Sequence, residues 1–429
     1  MVPASRAAHE QTVQVCDAAT KPRGSAVNDA VSFGPLPAGS PALRAIYDVI
    51  AADASERDAE RIHPHEALTL LRRARFGALR LPVEEGGGGA SLRDIIEEAV
   101  YLAEADSNVA HIYRNHFTFV ERFLTGSHDK RRRLWRQTVL EGGIIGLAST
   151  ELDRPQTGGA YPLKTVLVPV GDTLLLRGTK YYSTGSLYAD LIVVRATSFD
   201  GAGVTVIVHS DRSGVELVDD WDGIGQRMTG TGTTNFNDVR VEQDEVILDR
   251  DNPDFLLPYT STIAQIFVTA INAGIIRATL RDAKSLVKSR ARNFYYAPSA
   301  IAADDPILQQ TIGRIAADAF AAELVVLGAA EALDRVANAR LSSHELGEVT
   351  HDAAVAAAKA KVIVDELVLR STTALFDVGG ASAATRRKNL DRHWRNARTL
   401  SSHNPASYKA QAVGAFEVNG TRLPSSGFF

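Results

Sequence analysis

The spacing of hydrophobic positions divides the chain into a helical part, a strand-rich part and a second helical part. Up to about residue 140, apolar residues recur every three or four positions, which predicts amphipathic helices. The first such stripe is formed by Leu43, Ile46, Tyr47 and Ile50. From residue 142 to 248 the apolar residues form short runs between Gly-Asp and Asp-Gly pairs, which predicts strands and tight turns. Helical spacing then returns, and abundant alanine favours close packing of these later helices.

The order of these parts predicts three domains rather than a repeat array. We place a helical domain at residues 41–141, a small antiparallel barrel or sandwich at 142–250, and long helices at 251–429. Residues 1–40 mix Ala, Ser, Pro, Gly and charged residues without a period. They are predicted to form a flexible N-terminal arm, and an arm that wraps a partner subunit has the same composition.

The composition excludes several classes of protein. The 429 residues are 45% hydrophobic and 23% charged with a net charge of −4, so we expect no general attraction to nucleic acid or to acidic membranes. Cys16 is the only cysteine, which excludes an intramolecular disulfide framework and fits a reducing, cytoplasmic setting. We recognise no signal peptide, no apolar stretch of the roughly 18 residues that a membrane helix needs, and no metal-ligand cluster.

The segment near the C-terminus combines cationic groups with a titratable one. Arg392, Arg395 and Arg398 recur every third residue, which places them on adjoining parts of one helix face. Pro405 then ends the helix, and His403 lies at that end. Such a set suits an anionic cofactor and a general base, while a basic surface helix with an incidental histidine fits the same residue types.

Three other segments each allow two interpretations. His116 lies in a helical stretch rich in aromatic residues, where a hydrogen-bonded core histidine is as acceptable as a catalyst. Residues 180–185, Lys-Tyr-Tyr-Ser-Thr-Gly, are typical of a strand that ends in a turn, with hydroxyl groups on both faces. The glycine pair at 379–380 fits a helix end with a left-handed cap.

Four strings follow one another along the chain: Asn-His-Phe at 115–117, Gly-Thr-Lys-Tyr-Tyr-Ser-Thr-Gly at 178–185, Asp-Trp-Asp-Gly-Ile-Gly-Gln-Arg at 220–227, and the C-terminal segment through Tyr408-Lys409. With these strings in this order, the chain resembles the acyl-CoA dehydrogenase superfamily over about residues 41–429. More narrowly, it resembles the flavin-dependent monooxygenases of that fold, the branch of dibenzothiophene monooxygenase and the sulfur-acquisition oxidoreductases. The resemblance implies an α+β multidomain fold with an N-terminal helical domain, a middle antiparallel β-barrel and a C-terminal four-helix bundle, assembled as a homotetramer.

The resemblance also implies which residues hold a flavin. In the β-domain they are Leu147, Ser149, Thr150, Tyr182 and Thr184. The Thr184 hydroxyl is expected near the reactive N5 atom of the flavin, where a hydroxyl can serve both as donor and as acceptor.

Outside the β-domain, the resemblance implies that Arg292 contacts the flavin phosphate. Gly379 and Gly380 occupy the place where acyl-CoA dehydrogenases hold the distal part of FAD across a subunit interface. The glutamine that precedes these glycines in the dehydrogenases is absent here. This departure favours FMN, with FAD as the alternative.

The chemistry implied at the C-terminal motif differs from desaturation. Acyl-CoA dehydrogenases use a glutamate base commonly supplied near this junction, whereas this chain has His403 and no carboxylate between residues 397 and 413. Many of the monooxygenases have two histidines here, and the first is replaced by Leu400. The implied catalytic set is His403, His116 and Thr184.

The predicted function is therefore that of a two-component monooxygenase. Reduced FMN from a separate NAD(P)H-dependent flavin reductase reacts with O2, and a C4a-hydroperoxyflavin oxygenates a small sulfur- or nitrogen-containing substrate. The chain itself shows no nicotinamide-binding glycine motif after a strand. The alternatives are an FAD-dependent acyl-CoA dehydrogenase and a non-catalytic flavin-binding protein.

Overall fold

A computed structural model describes residues 34–124, 130–152, 162–249, 261–339, 343–425 and 429. The helices of its N-terminal part are α1 (Pro41–Ala52), α2 (Ala54–Glu60), α3 (His65–Arg73), α4 (Leu92–Phe119) and α5 (Lys130–Leu140). Helix α4 begins at a capping box in which Ser91 and Asp94 satisfy each other's backbone N–H groups. Most of its side chains are buried, so α4 is the central helix of this part.

The middle part is one sheet built on β4. Its strands are β1 (Ile145–Ala148), β2 (Val166–Val170), β3 (Thr173–Lys180), β4 (Leu191–Ser198), β5 (Gly203–His209), β6 (Val215–Leu217), β7 (Thr234–Val241) and β8 (Val246–Leu248). Its order is β6-β7-β3-β2-β4-β5-β8, with β1 also paired to β4. Strands β1 and β2 lie end to end along the same edge of β4 and run parallel to it, whereas the other pairs are antiparallel. The predicted antiparallel sheet is therefore mixed at β4.

Long helices follow the sheet and share a hydrophobic core with the N-terminal helices. They are α6 (Thr262–Ser289), α7 (Pro306–Asn338), α8 (Ser343–Gly379), α9 (Asp391–Ser401) and α10 (Ala406–Asn419). Buried residues of α4, α6, α7 and α8 belong to one continuous cluster. The helix–sheet–helix order is the predicted one, while the proposed domain boundaries stay a prediction because the two helical parts share this core.

Helix α6 is long and apolar enough to cross a membrane by length and composition alone. The sequence had been expected to contain no such stretch. Its most apolar 18-residue window has a mean hydropathy of 1.5, and 89% of that window is buried inside the protein. Burial of this kind is typical of the core helix of a compact domain, where all faces of a helix meet other elements.

The arginines of α9 mainly attach that helix to its neighbours. Arg392 and His393 both contact Asp282 of α6, at 2.7 and 2.8 Å. Arg395 contacts Asp58 of α2 at 2.7 Å. These ion pairs fix α9, the helix that leads into His403. Arg392 and Arg395 therefore support the candidate site but do not line it.

Candidate active site

A buried polar cluster forms where one face of α4 meets the loop after β3 and the loop before β7. Asn115 of α4 donates from its side chain to the backbone oxygen of Thr184 at 3.0 Å. Asn108, two turns earlier, accepts from the backbone N–H of Met228 at 3.1 Å. Residues 108, 111 and 115 share this face because they are three or four positions apart. The helix therefore fixes both loops relative to each other.

Thr184 presents a hydroxyl group at the centre of this junction. Its Oγ1 accepts a hydrogen bond of 2.9 Å from Thr231, so its own hydrogen is available to a ligand. Tyr182, two residues earlier, has a left-handed backbone (φ +56°), and the residue is 53% exposed. The ring lies edge-on to Trp221 at a centroid distance of 6.0 Å. A hydroxyl beside an open aromatic wall suits a planar, polar ring system.

Gln226 holds the neutral His111 ring in a single tautomer. The Gln226 side-chain nitrogen donates to Ser107 at 3.1 Å, so its oxygen accepts from His111 Nδ1–H, also at 3.1 Å. The other ring nitrogen, Nε2, therefore carries a lone pair, and it is buried without a hydrogen-bond partner among the described residues. Burial and then the charge of Arg114 lower the pKa of His111 to about 3. His111 is thus a neutral imidazole with an unsatisfied acceptor atom.

His403 meets the same helix through Arg114. Its Nε2 lies 3.3 Å from Arg114 Nη1, and because a guanidinium only donates, Nε2 is the acceptor. Burial and the neighbouring charge of Arg114 hold the pKa of His403 well below its usual range. The adjacent Asn404 donates to Gln265 of α6, which fixes the turn after α9. The structure thus brings His403 to the α4 face, as a neutral imidazole.

His116 lies outside this junction, and the catalytic role predicted for it stays a prediction. Its Nε2 contacts the backbone oxygen of Gly77 at 2.9 Å, and its Nδ1 accepts from the backbone N–H of Ile145 at 3.1 Å. The ring is fully buried, and burial lowers its pKa to about 4. A Cβ atom on Gly77 would lie 2.5 Å from Nε2, so the glycine permits this contact. Both nitrogens are used by the backbone, which makes His116 a brace between α4 and β1.

Comparison with known proteins gives a consistent family. Residues 266–408 match the family model described as acyl-CoA dehydrogenase, C-terminal domain. A dibenzothiophene monooxygenase from Rhodococcus qingshengii is 29% identical over 425 residues, covering 95% of this chain and 97% of that protein. A probable FMNH2-dependent monooxygenase from Pseudomonas putida is 28% identical over 411 residues, covering 94% of this chain and 100% of that protein.

Solved structures extend the match to the whole fold. The methanesulfinate monooxygenase of Pseudomonas fluorescens superposes with a TM-score of 0.81 at 27% identity, covering 91% of this chain and 100% of that one. FMN-bound TdsC of Paenibacillus sp. A11-2 has a TM-score of 0.81 at 28% identity, covering 90% and 98%. The chain belongs to the flavin-dependent monooxygenase branch of the acyl-CoA dehydrogenase superfamily. The predicted family and fold class are confirmed.

The flavin contacts predicted at the start of the β-domain lie beside Tyr182 in this flavin-dependent monooxygenase. Thr150 pairs with Tyr181 through an isolated β-bridge, and the Lys180 ammonium reaches the backbone oxygen of Ser149 at 3.3 Å. Leu147 is half-buried and packs against the core under β1. Ser149, Thr150 and Tyr182 thus line one edge of the Thr184 junction, and their contact with a flavin stays a prediction.

The predicted phosphate contacts lie at the opposite end of α6. Gln265, which holds the turn after His403, is 25 residues from Arg290, a helical rise of about 37 Å. Arg290 donates to the backbone oxygen of Gly379 at 2.7 Å, which places Gly379 and Gly380 at that far end. Arg292 is exposed two residues further on. The monooxygenase therefore does not bring Arg292 or these glycines to the Thr184 junction of the same chain.

The sequence did not predict His111, Arg114 or Gln226 as members of the site. His111 lies four residues before Asn115, on the face of α4 that meets the loops, whereas His116 points about 100° away. The helical spacing between residues 111 and 115 was thus the sequence signal that could have identified His111. Gln226 was inside a recognised string, but only the fold shows that its amide contacts His111.

Replacing Gln226 tests how the monooxygenase controls His111. In Gln226→Glu the carboxylate favours the protonated imidazole, so the pKa of His111 rises. Because the lone pair is lost once the ring is protonated, turnover is expected to fall as the pH drops, at a higher pH than in the wild type. Gln226→Met removes the contact without adding charge. This control should lower turnover at every pH without changing the pH at which turnover falls on the acidic side. If the pH dependence of turnover is the same in the two variants, the assignment of His111 is contradicted.

Proposed function

We propose that this chain is the oxygenase of a two-component system, which uses reduced FMN and O2 to oxygenate a small sulfur- or nitrogen-containing substrate. The observation that carries the proposal is the pair of histidines at the Thr184 junction, His111 bound to Gln226 and His403 bound to Arg114. In the described part of the chain, Thr184, His111 and Arg114 make no contact with a carboxylate. Abstraction of an α-proton from an acyl thioester would need such a base.

The junction fits a flavin ring in its polar and its aromatic groups. Tyr182 and Trp221 offer aromatic surface, and the Thr184 hydroxyl offers a hydrogen to a ring nitrogen. The unpartnered Nε2 of His111 is an acceptor that a bound group can satisfy. A relative named as FMNH2-dependent and an FMN-bound neighbour support FMN as the cofactor.

Each residue of the junction has a separate task in this proposal. Bound reduced FMN supplies the two electrons with which O2 is split between substrate and water. Thr184 orients the ring by its hydroxyl, and Asn115 holds the Thr184 backbone in place. His111 accepts a hydrogen bond at Nε2, and Gln226 keeps that nitrogen unprotonated by accepting from Nδ1–H. The buried face of α4 excludes water from the reacting groups.

The separation along α6 supports an assembly of several copies. Arg292, Gly379 and Gly380 lie about 37 Å from the His403 end of the helix, far beyond the length of FMN. We propose that they serve a flavin whose ring lies in a neighbouring copy, within a homotetramer. The partner that supplies reduced flavin is a separate NAD(P)H-dependent flavin reductase, and we place the system in the cytoplasm.

The test is a reductase-coupled assay with FMN, NAD(P)H and a panel of sulfur and nitrogen compounds. We expect oxygenated product from the wild type and a large loss in His403→Ala. Product from neither protein would favour the flavin-binding alternative. Anaerobic reduction of bound flavin by an acyl-CoA, without the reductase, would establish a dehydrogenase instead.

A further inference from the structure

We propose that Thr229 and Thr231 extend Thr184 into a chain of hydroxyl groups whose hydrogen bonds reverse direction together. This inference rests on the proposed function, in which the Thr184 hydroxyl meets the flavin ring. It gives Thr229 and Thr231 a positioning role. Through them, the Thr184 hydroxyl can donate to the ring in one redox state and accept from it in the other.

The three hydroxyl groups form one continuous series of hydrogen bonds inside the protein. The oxygens of Thr184 and Thr231 are 2.9 Å apart, and those of Thr231 and Thr229 are 2.6 Å apart. The Thr229 hydroxyl lies 2.8 Å from the backbone oxygen of Gln226, where the series ends. Thr229 is fully buried, and Thr231 and Thr184 are only 8% and 6% exposed. Bulk water therefore does not compete for these bonds.

The backbone of the two loops fixes the positions of these oxygens. The N–H group of Gly185 donates to the backbone oxygen of Thr229 at 2.9 Å, and the N–H group of Ser183 donates to that of Gly232 at 3.1 Å. Gly230, between the two threonines of the loop before β7, has a left-handed backbone (φ +59°), which favours glycine. The loops thus hold the oxygens in place while the hydroxyl hydrogens remain able to turn.

The series can run in two directions, because a threonine hydroxyl donates one hydrogen, accepts through its oxygen, and rotates to suit its neighbours. In the outward direction, Thr229 donates to Thr231 and Thr231 donates to Thr184. The Thr184 hydrogen is then available to an acceptor on a ligand. In the inward direction, Thr184 donates to Thr231, which donates to Thr229, and the Thr184 oxygen accepts from a ligand. Only hydrogens move between the two arrangements.

Trp221 makes both directions acceptable at the inner end of the series. Its Nε1 donates to the backbone oxygen of Gln226 at 3.0 Å. That oxygen therefore keeps a partner when the Thr229 hydrogen turns towards Thr231, and no buried backbone group is left without a hydrogen bond.

The two directions differ by one hydrogen bond. Only in the inward direction does the Thr229 hydrogen reach the Gln226 oxygen, so the series favours a ligand that donates to Thr184. A flavin ring nitrogen is an acceptor in the oxidised ring and carries a hydrogen in the reduced ring. The series therefore accepts both forms of the cofactor and favours the reduced form, which the proposed reaction uses.

The test compares the affinity for FMN in its two redox states. Dissociation constants of oxidised FMN and, under anaerobic conditions, of reduced FMN are measured for the full-length wild type and Thr231→Val. We expect Thr231→Val to weaken reduced FMN about tenfold more than oxidised FMN, because the Thr184 hydrogen then has no acceptor. This ratio corresponds to a midpoint potential of bound FMN that is lower by about 30 mV, which a redox titration measures. Thr231→Ser keeps the hydroxyl and should keep the wild-type ratio.

A second variant tests whether the hydroxyl groups act in series. Thr229→Val should change the ratio in the same direction by about threefold, because the group that loses its acceptor is one step further from the ligand. The double variant should change it no further than Thr231→Val alone, since the link between Thr229 and Thr184 is already broken. If Thr231→Val does not fold, Thr229→Val carries the comparison between the two forms of FMN. Additive changes would overturn the inference.

Thr234→Val is the matched control. Thr234 of β7 is buried, and its hydroxyl has no hydrogen-bond partner among the described residues. The same substitution should therefore leave the ratio of the two dissociation constants unchanged. The inference is overturned by equal weakening of both forms of FMN in Thr231→Val, by an equal change of the ratio in Thr234→Val, or by a wild type that binds neither form.

The two proposals fail in different ways. If Thr231→Val changes the ratio as expected but the wild type oxygenates no sulfur or nitrogen compound in the reductase-coupled assay, the proposed function is refuted and the hydroxyl series stands. If the wild type forms oxygenated product but Thr231→Val weakens both forms of FMN equally, the function stands and the hydroxyl series is refuted.

Discussion

Replacement of His111 by asparagine is expected to lower turnover by about 10²- to 10³-fold, the effect typical of losing one positioned hydrogen-bonding group at a reacting centre. The neutral His111 ring offers a buried acceptor atom, Nε2, beside the Thr184 junction, and the shorter asparagine side chain cannot place an acceptor atom at the same position. FMN affinity and the melting temperature should change little, because the ring contacts a side chain rather than the backbone. Steady-state turnover with the reductase in excess measures the effect.

His116→Asn is the matched comparison, and it should behave in the opposite way. The change removes two contacts with backbone groups, at Gly77 and Ile145, in a fully buried position. Each unpaired buried group costs about 1–3 kcal/mol, so chemical denaturation should show a clear loss of stability. The folded fraction should keep its turnover per bound flavin. A turnover defect in His116→Asn that exceeds the one in His111→Asn would reverse the assignment of the two histidines.

Lys180→Met is expected to lower the free energy of unfolding by about 3–5 kcal/mol, because it leaves a buried carboxylate without its cation. Lys180 is fully buried, and its ammonium lies 2.7 Å from Glu151. The pair joins the end of β3 to the segment after β1, directly below Tyr182. Urea denaturation measures the loss, and a change below about 1 kcal/mol would show that the pair is not coupled to the fold.

The double variant Lys180→Met with Glu151→Leu provides the control. It removes both charges, so part of the stability should return. Recovery should be incomplete, because Glu151 also accepts from the backbone N–H groups of Lys164 and Thr165. Burial opposes ionisation, but these bonds together with Lys180 lower the pKa of Glu151 to about 2. The wild-type pair therefore stabilises the protein above about pH 4.5, and that contribution is lost as the pH falls towards 2.

Hydrophobic periodicity predicted the order of helices, strands and helices because each element buries one face or stripe. The parallel pairing of β1 and β2 with β4 was not predictable in this way, since alternation along a strand does not say which edge it joins. The shared core of α4 and α6 was equally hidden, because it depends on contacts between residues far apart in sequence.

The candidate site was predictable where a single segment carries it. Thr184 and His403 lie in the junction, as the strings around them indicated. His116 was predicted on the right helix but lies outside the junction, because residue type identifies the helix but not its phase, and its catalytic role stays a prediction. Arg114 directly precedes the recognised string at 115–117, and only the fold shows that it contacts no carboxylate among the described residues.

The two ends of helix α6 lie beside two separate groups of predicted site residues. Its first turns hold Arg114 and the turn after His403, while its last residue leads to Arg290 and Gly379. Under the proposed function, these two ends belong to the sites of two different copies. No isolated chain then contains a whole flavin site, and the smallest unit that binds the cofactor fully is a pair of chains. Diluting the protein below the dissociation constant of the assembly should therefore release flavin without unfolding the chains.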